Sequence, residues 1–206
     1  LVQTIPAYRL PREELAREVR MIERMGVDVE TNMRLGKDFT LKELRDEGYQ
    51  AVFLAIGAPY GSKLQIPGED AEGVSDAIKF LREYNIRGSV WVGKNVVVIG
   101  GGNAAIDASR TAIRLGAKSV TILYRRTRAE MPAYVEEIEE AEKEGVVIRT
   151  QISPLEIITE NGKVSGIRCG RMSLGEFDRT GRRSPKASGE NDFILPADQV
   201  IPAIGQ

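Results

Sequence analysis

The sequence predicts an α/β fold: a parallel sheet with helices on both faces, extended by an antiparallel β-meander. Three observations predict it. Between residues 95 and 152, apolar runs of strand length alternate with helical patterns, the rhythm of β-α-β units whose helices run to about 10–15 residues. Within this region the run VVVI passes into three consecutive glycines and straight on into a helical pattern. Further on, Asn161-Gly162 stands between two alternating runs, the strongest short-range signal for a hairpin.

Each element can be justified in order. Residues 12–25 place Leu15, Val19, Ile22 and Met25 at helical spacing, with Pro11 near the start and Gly26 just past the end, as helix boundaries prefer. VDVETNM alternates and predicts a strand, and Thr40 with Glu43 three residues later forms a capping box for a helix that Gly48 stops. AVFLAIGAP is a near-continuous apolar run, which predicts a strand buried on both faces. Residues 27–57 therefore read as a β-α-β piece. Residues 58–74 are rich in Gly and Pro and read as a connecting loop, followed by a short helix SDAIKFLREYN capped by Ser75. Strand 95–99, helix 103–115 closed by Gly116, strand SVTILY, an acidic helix from Pro132 through Glu144 closed by Gly145, and strand VVIRTQI follow. The pattern then changes to the Asn161-Gly162 hairpin, a polar Gly-rich tongue over residues 175–191, and a return to strands in DFILPADQVIPAIGQ. Trp91 and Tyr84 read as packing residues.

Composition removes whole classes of chemistry. The chain has no histidine and a single cysteine, Cys169. Ser-His and Cys-His nucleophilic dyads are excluded, as are His/Cys metal sites within the chain. Cys169 reads as a core residue, and one cysteine suits a reducing cytoplasm. The net charge of −1 supplies no general basic field for nucleic acid or anionic lipid. No apolar run approaches the roughly 20 residues that span a bilayer. No catalytic side chain and no metal ligand is assigned.

Gly100-x-Gly102-x-x-Ala105 fits the G-x-G-x-x-G/A pattern. In a Rossmann-like domain the first glycine permits the tight turn, the second lets backbone approach a pyrophosphate, and the third small residue lets helix pack close on strand. A helix starting at Asn103–Ala105 adds free amides and positive partial charge. The bland alternative is a strand-to-helix corner with no ligand. The nucleotide is chosen about 20 residues later, at the end of the second strand, where a carboxylate would bind a ribose 2′-hydroxyl. Here stands Tyr124-Arg125-Arg126-Thr127-Arg128. Guanidinium forks suit a 2′-phosphate, so the pattern predicts an NADP(H) site with Arg125 and Arg126 as leading ligands and Arg128 as a third candidate. The alternative is a solvated basic turn paired with the acidic helix after it. That helix reads as a solvated face, with Glu139–Lys143 as an i,i+4 pair.

The strings IPAYRLP, AVFLAIGAP followed by IPGED, VVVIGGGNAAIDASRTAIRLGA, VTILYRRTRAEMP and LPADQVIPAIGQ resemble the small subunit of NADPH-dependent glutamate synthase and related two-dinucleotide-binding-domain flavoproteins. The resemblance covers nearly the whole chain in the same order. It implies an NADPH domain inserted into an FAD domain, hydride transfer from NADPH to FAD, and electrons leaving through iron–sulfur clusters to a partner subunit or domain. By motif, Gly101, Gly102, Asn103 and Ala104 match the pyrophosphate turn, Arg125 and Arg126 the 2′-phosphate clamp, and Ala203-Ile204-Gly205 the exit turn near the nicotinamide. Ala55-Ile56-Gly57 matches the turn closing the FAD-domain sheet, and IPAYRLP a segment near the flavin. The implied domains are residues 1–87, a partial FAD-domain segment and linker, and residues 88–206, the NADP(H)-binding domain.

Departures from the pattern matter equally. An upstream flavin-binding glycine fingerprint, a downstream Gly-Asp motif and cysteine clusters do not occur in these residues, and the chain opens on Leu1. The expectation is a fragment that binds NADP(H), does not hold FAD by itself and does not turn over alone. Unpaired strands in residues 27–57 would then dimerise through their edge or be poorly ordered. A different class of reading, a non-catalytic module that senses NADP(H), shares the same motifs. The final electron acceptor is not written in them.

Overall fold

The computed structural model describes residues 1–58, 60–177 and 181–205. Pro59, the tip of the predicted tongue at 178–180 and the last residue of the exit string lie outside the described residues. The chain divides into two compact units, Leu10–Ala58 on the one hand and Leu1–Arg9 with Pro59–Gln206 on the other.

The smaller unit is built from local signals alone. Helix α1 (Arg12–Arg24) starts behind Pro11, and Gly26 turns the chain beyond it at φ +90. Helix α2 (Leu41–Asp46) carries the expected capping box, with Thr40 accepting from the Glu43 amide and the Glu43 carboxylate accepting from the Thr40 amide. The two strands expected in residues 27–57 do not form among the described residues. VDVETNM and AVFLAIGAP have no ladder, and the unit's β-type contact is an isolated bridge between Leu35 and Phe39. Phe53 is 92% and Ile56 83% exposed. An apolar run becomes a strand only where another strand takes up its amides and carbonyls. These runs find none within their unit.

The larger unit begins with helix α3 (Ala77–Arg87), whose N-cap is Asp76, accepting from the Lys79 amide at 3.0 Å. Ser75, the expected cap, is instead held by its own amide, which donates to the Val200 carbonyl. Strand β1 (Asn95–Ile99), helix α4 (Asn103–Arg114) and strand β2 (Ser119–Tyr124) follow within a residue of expectation. Helix α5 (Val135–Lys143) starts later than Pro132, behind Tyr134 as N-cap, and is preceded by a 3-10 turn at Arg128–Glu130 capped by Thr127. Strand β3 (Val147–Thr150) is separated from β4 (Ile152–Glu160) by Gln151 at φ +56. Next come β5 (Lys163–Phe177), β6 (Arg183–Ala187), β7 (Phe193–Pro196) and β8 (Gln199–Pro202).

Strands β3-β2-β1-β8 form one parallel sheet in that order. Strands β4, β5, β6 and β7 form antiparallel pairs around β5. Asn161 and Gly162 supply the two positive φ values of the β4–β5 turn, as a type I′ hairpin demands. The tongue is largely the hairpin of β5 and β6.

Successive residues of β1 face opposite cores. Val96 and Val98 pack with Phe80, Leu81, Ile106, Ile122 and Ile138, on the face covered by α3, α4 and α5. Val97 and Ile99 pack with Leu123, Ile157, Ile167 and Cys169 of the antiparallel layer. The expectation of helices on both faces is thus corrected in one respect: the second face is covered by the meander. Right-handed crossovers put α4 and α5 on the same side, and the excursion from β3 to β8 covers the other. Buried Gln199 sets the last strand, its Oε1 accepting from the Gly93 amide at 2.9 Å. Ala77, Phe80 and Leu81 of α3 belong to the core of this unit. Trp91, expected to pack, is 61% exposed.

Candidate functional site

The site lies beyond the carboxyl ends of the parallel strands. From β1 the crossover through α4 runs to β2 on one side, while β8 lies on the other. Open α/β sheets bind ligands at such a reversal of strand order. Here it holds a cavity of about 820 Å3, lined by the glycine turn after β1, Arg125 and Arg126 after β2, and Ala203, Ile204 and Gly205 after β8.

Sterics explain each glycine. Gly100 sits at φ +145, and a Cβ there would lie 2.2 Å from the Ala203 carbonyl oxygen. Its amide donates to the Leu123 carbonyl, and the Ala203 amide to that of Ile99, so the turn continues both flanking ladders. Gly101 has no room either, since a Cβ would meet the Tyr124 ring at 2.6 Å. At Gly102 the nearest atom to a Cβ would be Pro132 Cγ at 3.9 Å, and the side toward the cavity is open. Gly102 is the N-cap of α4, with no side chain to occupy the free amides of the first turn. Asn103 is oriented by its Oδ1, which accepts from the Tyr134 amide at 3.2 Å. Gly100 through Ala104 line the cavity, while Ala105 is fully buried and lets α4 pack against β1.

The three arginines after β2 have three different surroundings. Arg125 is exposed and lines the cavity. Arg126 also lines it but is only 4% exposed, and its Nε donates to the Arg183 carbonyl at 2.7 Å. Arg128 is away from the cavity lining and forms a two-pronged pair with Glu142 at 2.5 and 2.7 Å. The alternative of a basic turn paired with the acidic helix therefore describes Arg128. On that helix Lys143 pairs with Glu140 at 2.8 Å rather than with Glu139. The helix is also less of a purely solvated face than it read, because Glu137 and Glu144 bind Arg110, a side chain with little exposure.

Sequence reasoning missed Asp107. It lies on α4 at the cavity, buried, and Arg9 of IPAYRLP grips both its oxygens at 2.9 and 2.8 Å. Burial pushes its carboxyl up to about 6, against the pull of Arg9. The Arg114 and Arg110 guanidiniums stack on the neighbouring Tyr8 ring at 3.6 and 4.8 Å from its centroid. The N-terminal segment is thus fastened to α4, and the one buried carboxylate facing the cavity from that helix is covered by a cation. A lone Asp in NAAIDASR gave no hint of this, because its partner lies 98 residues away. Arg182, the residue before β6 at the turn end of the β5–β6 hairpin, lines the cavity too. Cys169 is fully buried and burial pushes its thiol up to about 12, which suits a core residue. Among the described residues no group of three or more His, Cys, Asp or Glu could hold a metal ion, and no helix is long and apolar enough to cross a membrane.

A glycine turn and helix N-terminus at the switch point of a parallel sheet make up the architecture of the dinucleotide-binding α/β domains. More narrowly, the chain belongs to the pyridine nucleotide-disulphide oxidoreductase family, whose profile matches residues 3–206. It is 45% identical over 205 residues to the NADP(+)-dependent formate dehydrogenase subunit beta of Moorella thermoacetica, covering 98% of this chain and 29% of that protein. It is 46% identical to the NADPH-Fe(3+) oxidoreductase subunit beta of Geobacter sulfurreducens, covering 98% and 30%. The glutamate synthase [NADPH] small chain of Escherichia coli is 38% identical, covering 98% and 45%, as the resemblance in the sequence implied. The chain thus spans less than half the length of these relatives. Among solved structures, FprA from Mycobacterium tuberculosis in complex with NADPH superposes with a TM-score of 0.80 at 23% identity, over 100% of this chain and 61% of that one; it shares the fold.

Proposed function

We propose that the chain is the NADP(H)-binding portion of a flavin-dependent oxidoreductase that passes a hydride from NADPH to FAD and onward through iron–sulfur centres to a partner subunit or domain. One observation carries the nucleotide choice: where an NAD site would place a carboxylate, the exposed Arg125 faces the cavity beside the glycine turn. The residues fit the group. Gly102 leaves space for a pyrophosphate against the free amides of Asn103 and Ala104, and about 820 Å3 is room for a ligand of this kind.

When bound, the nicotinamide supplies the hydride. The chain's own part is binding and electrostatics. The α4 amides hold the pyrophosphate, Arg125 holds the 2′-phosphate with Arg126 beside it, and Ala203, Ile204 and Gly205 border the nicotinamide end. Arg9, by covering Asp107, keeps a carboxylate from repelling the incoming phosphates. The chain carries one glycine fingerprint, so its residues do not fit a second dinucleotide. The flavin and the iron–sulfur centres rest on the motif resemblance, with residues 1–87 as a share of the flavin domain, 88–206 as the NADP(H) domain, and a cytoplasmic location.

The test is calorimetric titration of NADPH and NADH into the intact protein and its Arg125→Ala variant. The expected loss for NADPH is about tenfold or more, the worth of a charge-assisted bond, with NADH little changed. Equal losses for the two nucleotides overturn the assignment.

A further inference from the structure

We propose that Arg182 is a second 2′-phosphate ligand, brought to the cavity by the β5–β6 hairpin, so that the choice of NADP(H) is made by both layers of the fold. The inference rests on the reading that the cavity takes NADP(H). Arg182 lines that cavity from the antiparallel layer, as Arg125 and Arg126 line it from the parallel sheet. It also borders a smaller cavity of about 560 Å3, which Pro132 and Arg182 share with the first.

What makes this a built arrangement is the peptide next to it. The Arg183 carbonyl accepts from Arg126 Nε at 2.7 Å, and the Arg183 amide donates to the Glu130 carboxylate. Glu130 is in turn held by the Thr127 hydroxyl at 2.7 Å and the Thr127 amide at 3.2 Å. The loop after β2 therefore grips the hairpin by both backbone groups of residue 183, fixing where residue 182 starts. Gly181, at φ +75, sets the turn into it. The Arg183 guanidinium goes elsewhere, over the Phe177 ring at 5.6 Å from its centroid. This gives Arg126 a defined task as a positioning residue, which accounts for its burial. Arg125 and Arg182 thus both line the one cavity, each from a different layer. A phosphate monoester near neutral pH carries close to two charges and three acceptor oxygens, a match for two forks rather than one.

The experiment measures NADPH, NADH and 2′,5′-ADP binding to the intact protein by calorimetry for wild type, Arg182→Ala, Arg182→Lys and Arg125→Ala. Arg182→Ala is expected to weaken NADPH and 2′,5′-ADP about tenfold while NADH changes less than about twofold. Arg182→Lys should recover part of the loss, because it restores charge without the planar fork. Unchanged NADH binding doubles as the control for folding. If Arg182→Ala leaves NADPH binding intact while Arg125→Ala weakens it selectively, Arg182 is not a ligand and the cavity reading stands alone. If Arg182→Ala weakens NADPH and NADH equally, the side chain is only structural and the proposal is overturned. If neither Arg125→Ala nor Arg182→Ala distinguishes the nucleotides, the NADP(H) reading fails and takes this inference with it.

Discussion

VVVI in β1 and AVFLAI in residues 51–56 are near twins as sequence, yet they end differently. The first lies between β2 and β8, each of its residues paired, and Val96 through Ile99 are buried. The second makes no ladder among the described residues and leaves Phe53 and Ile56 almost wholly exposed. Helices in both units form as their local signals predict, because caps and i,i+4 periodicity act within a few residues. Strands do not, because their hydrogen bonds are made elsewhere in the chain. Strand propensity is a statement about fitting a neighbour, and the neighbour has to be there.

The largest effect that sharpens this contrast comes from paired glycine substitutions. Gly100→Ala places a methyl 2.2 Å from the Ala203 carbonyl at φ +145. It should lower stability by more than about 3 kcal/mol and abolish nucleotide binding. Gly48→Ala, also at positive φ but with open space around it, should cost only about 1–2 kcal/mol. Thermal melts of the two variants check this, and equal costs would mean that the glycine turn is not braced by β8.

A smaller effect comes from the buried charge in the sheet unit. Burial holds the Asp107 carboxyl at about 6, above its ordinary value, so the folded chain binds this proton more tightly than the unfolded one. The group's contribution to stability is present below about pH 4 and is lost as pH rises through about 6. Melting temperatures of wild type and Asp107→Asn should therefore diverge between these limits, wild type losing ground as pH rises, by no more than about 3 kcal/mol. A constant difference across the window would contradict the burial argument.

Local features were legible in the sequence. The bounds of β1 and β2, the Thr40–Glu43 box and the Asn161-Gly162 turn all stand where the residues put them. The glycine turn was legible as well, since a tight turn at a strand end needs a residue without Cβ. Interactions across distance were not. Whether Arg128 meets a phosphate or Glu142 depends on where α5 lies, and the cap of α3 falls to Asp76 while the Ser75 amide donates to the Val200 carbonyl of a distant strand. Arg9 on Asp107 and the Arg183 peptide on Arg126 span 98 and 57 residues, beyond any local pattern.

The most direct test of the central claim is hydrogen exchange of the intact protein with and without saturating NADPH. The account predicts protection of the amides at residues 100–106 and of the segment after β2 at 125–130, with residues 27–57 unchanged. Binding that leaves the glycine turn unprotected would contradict it.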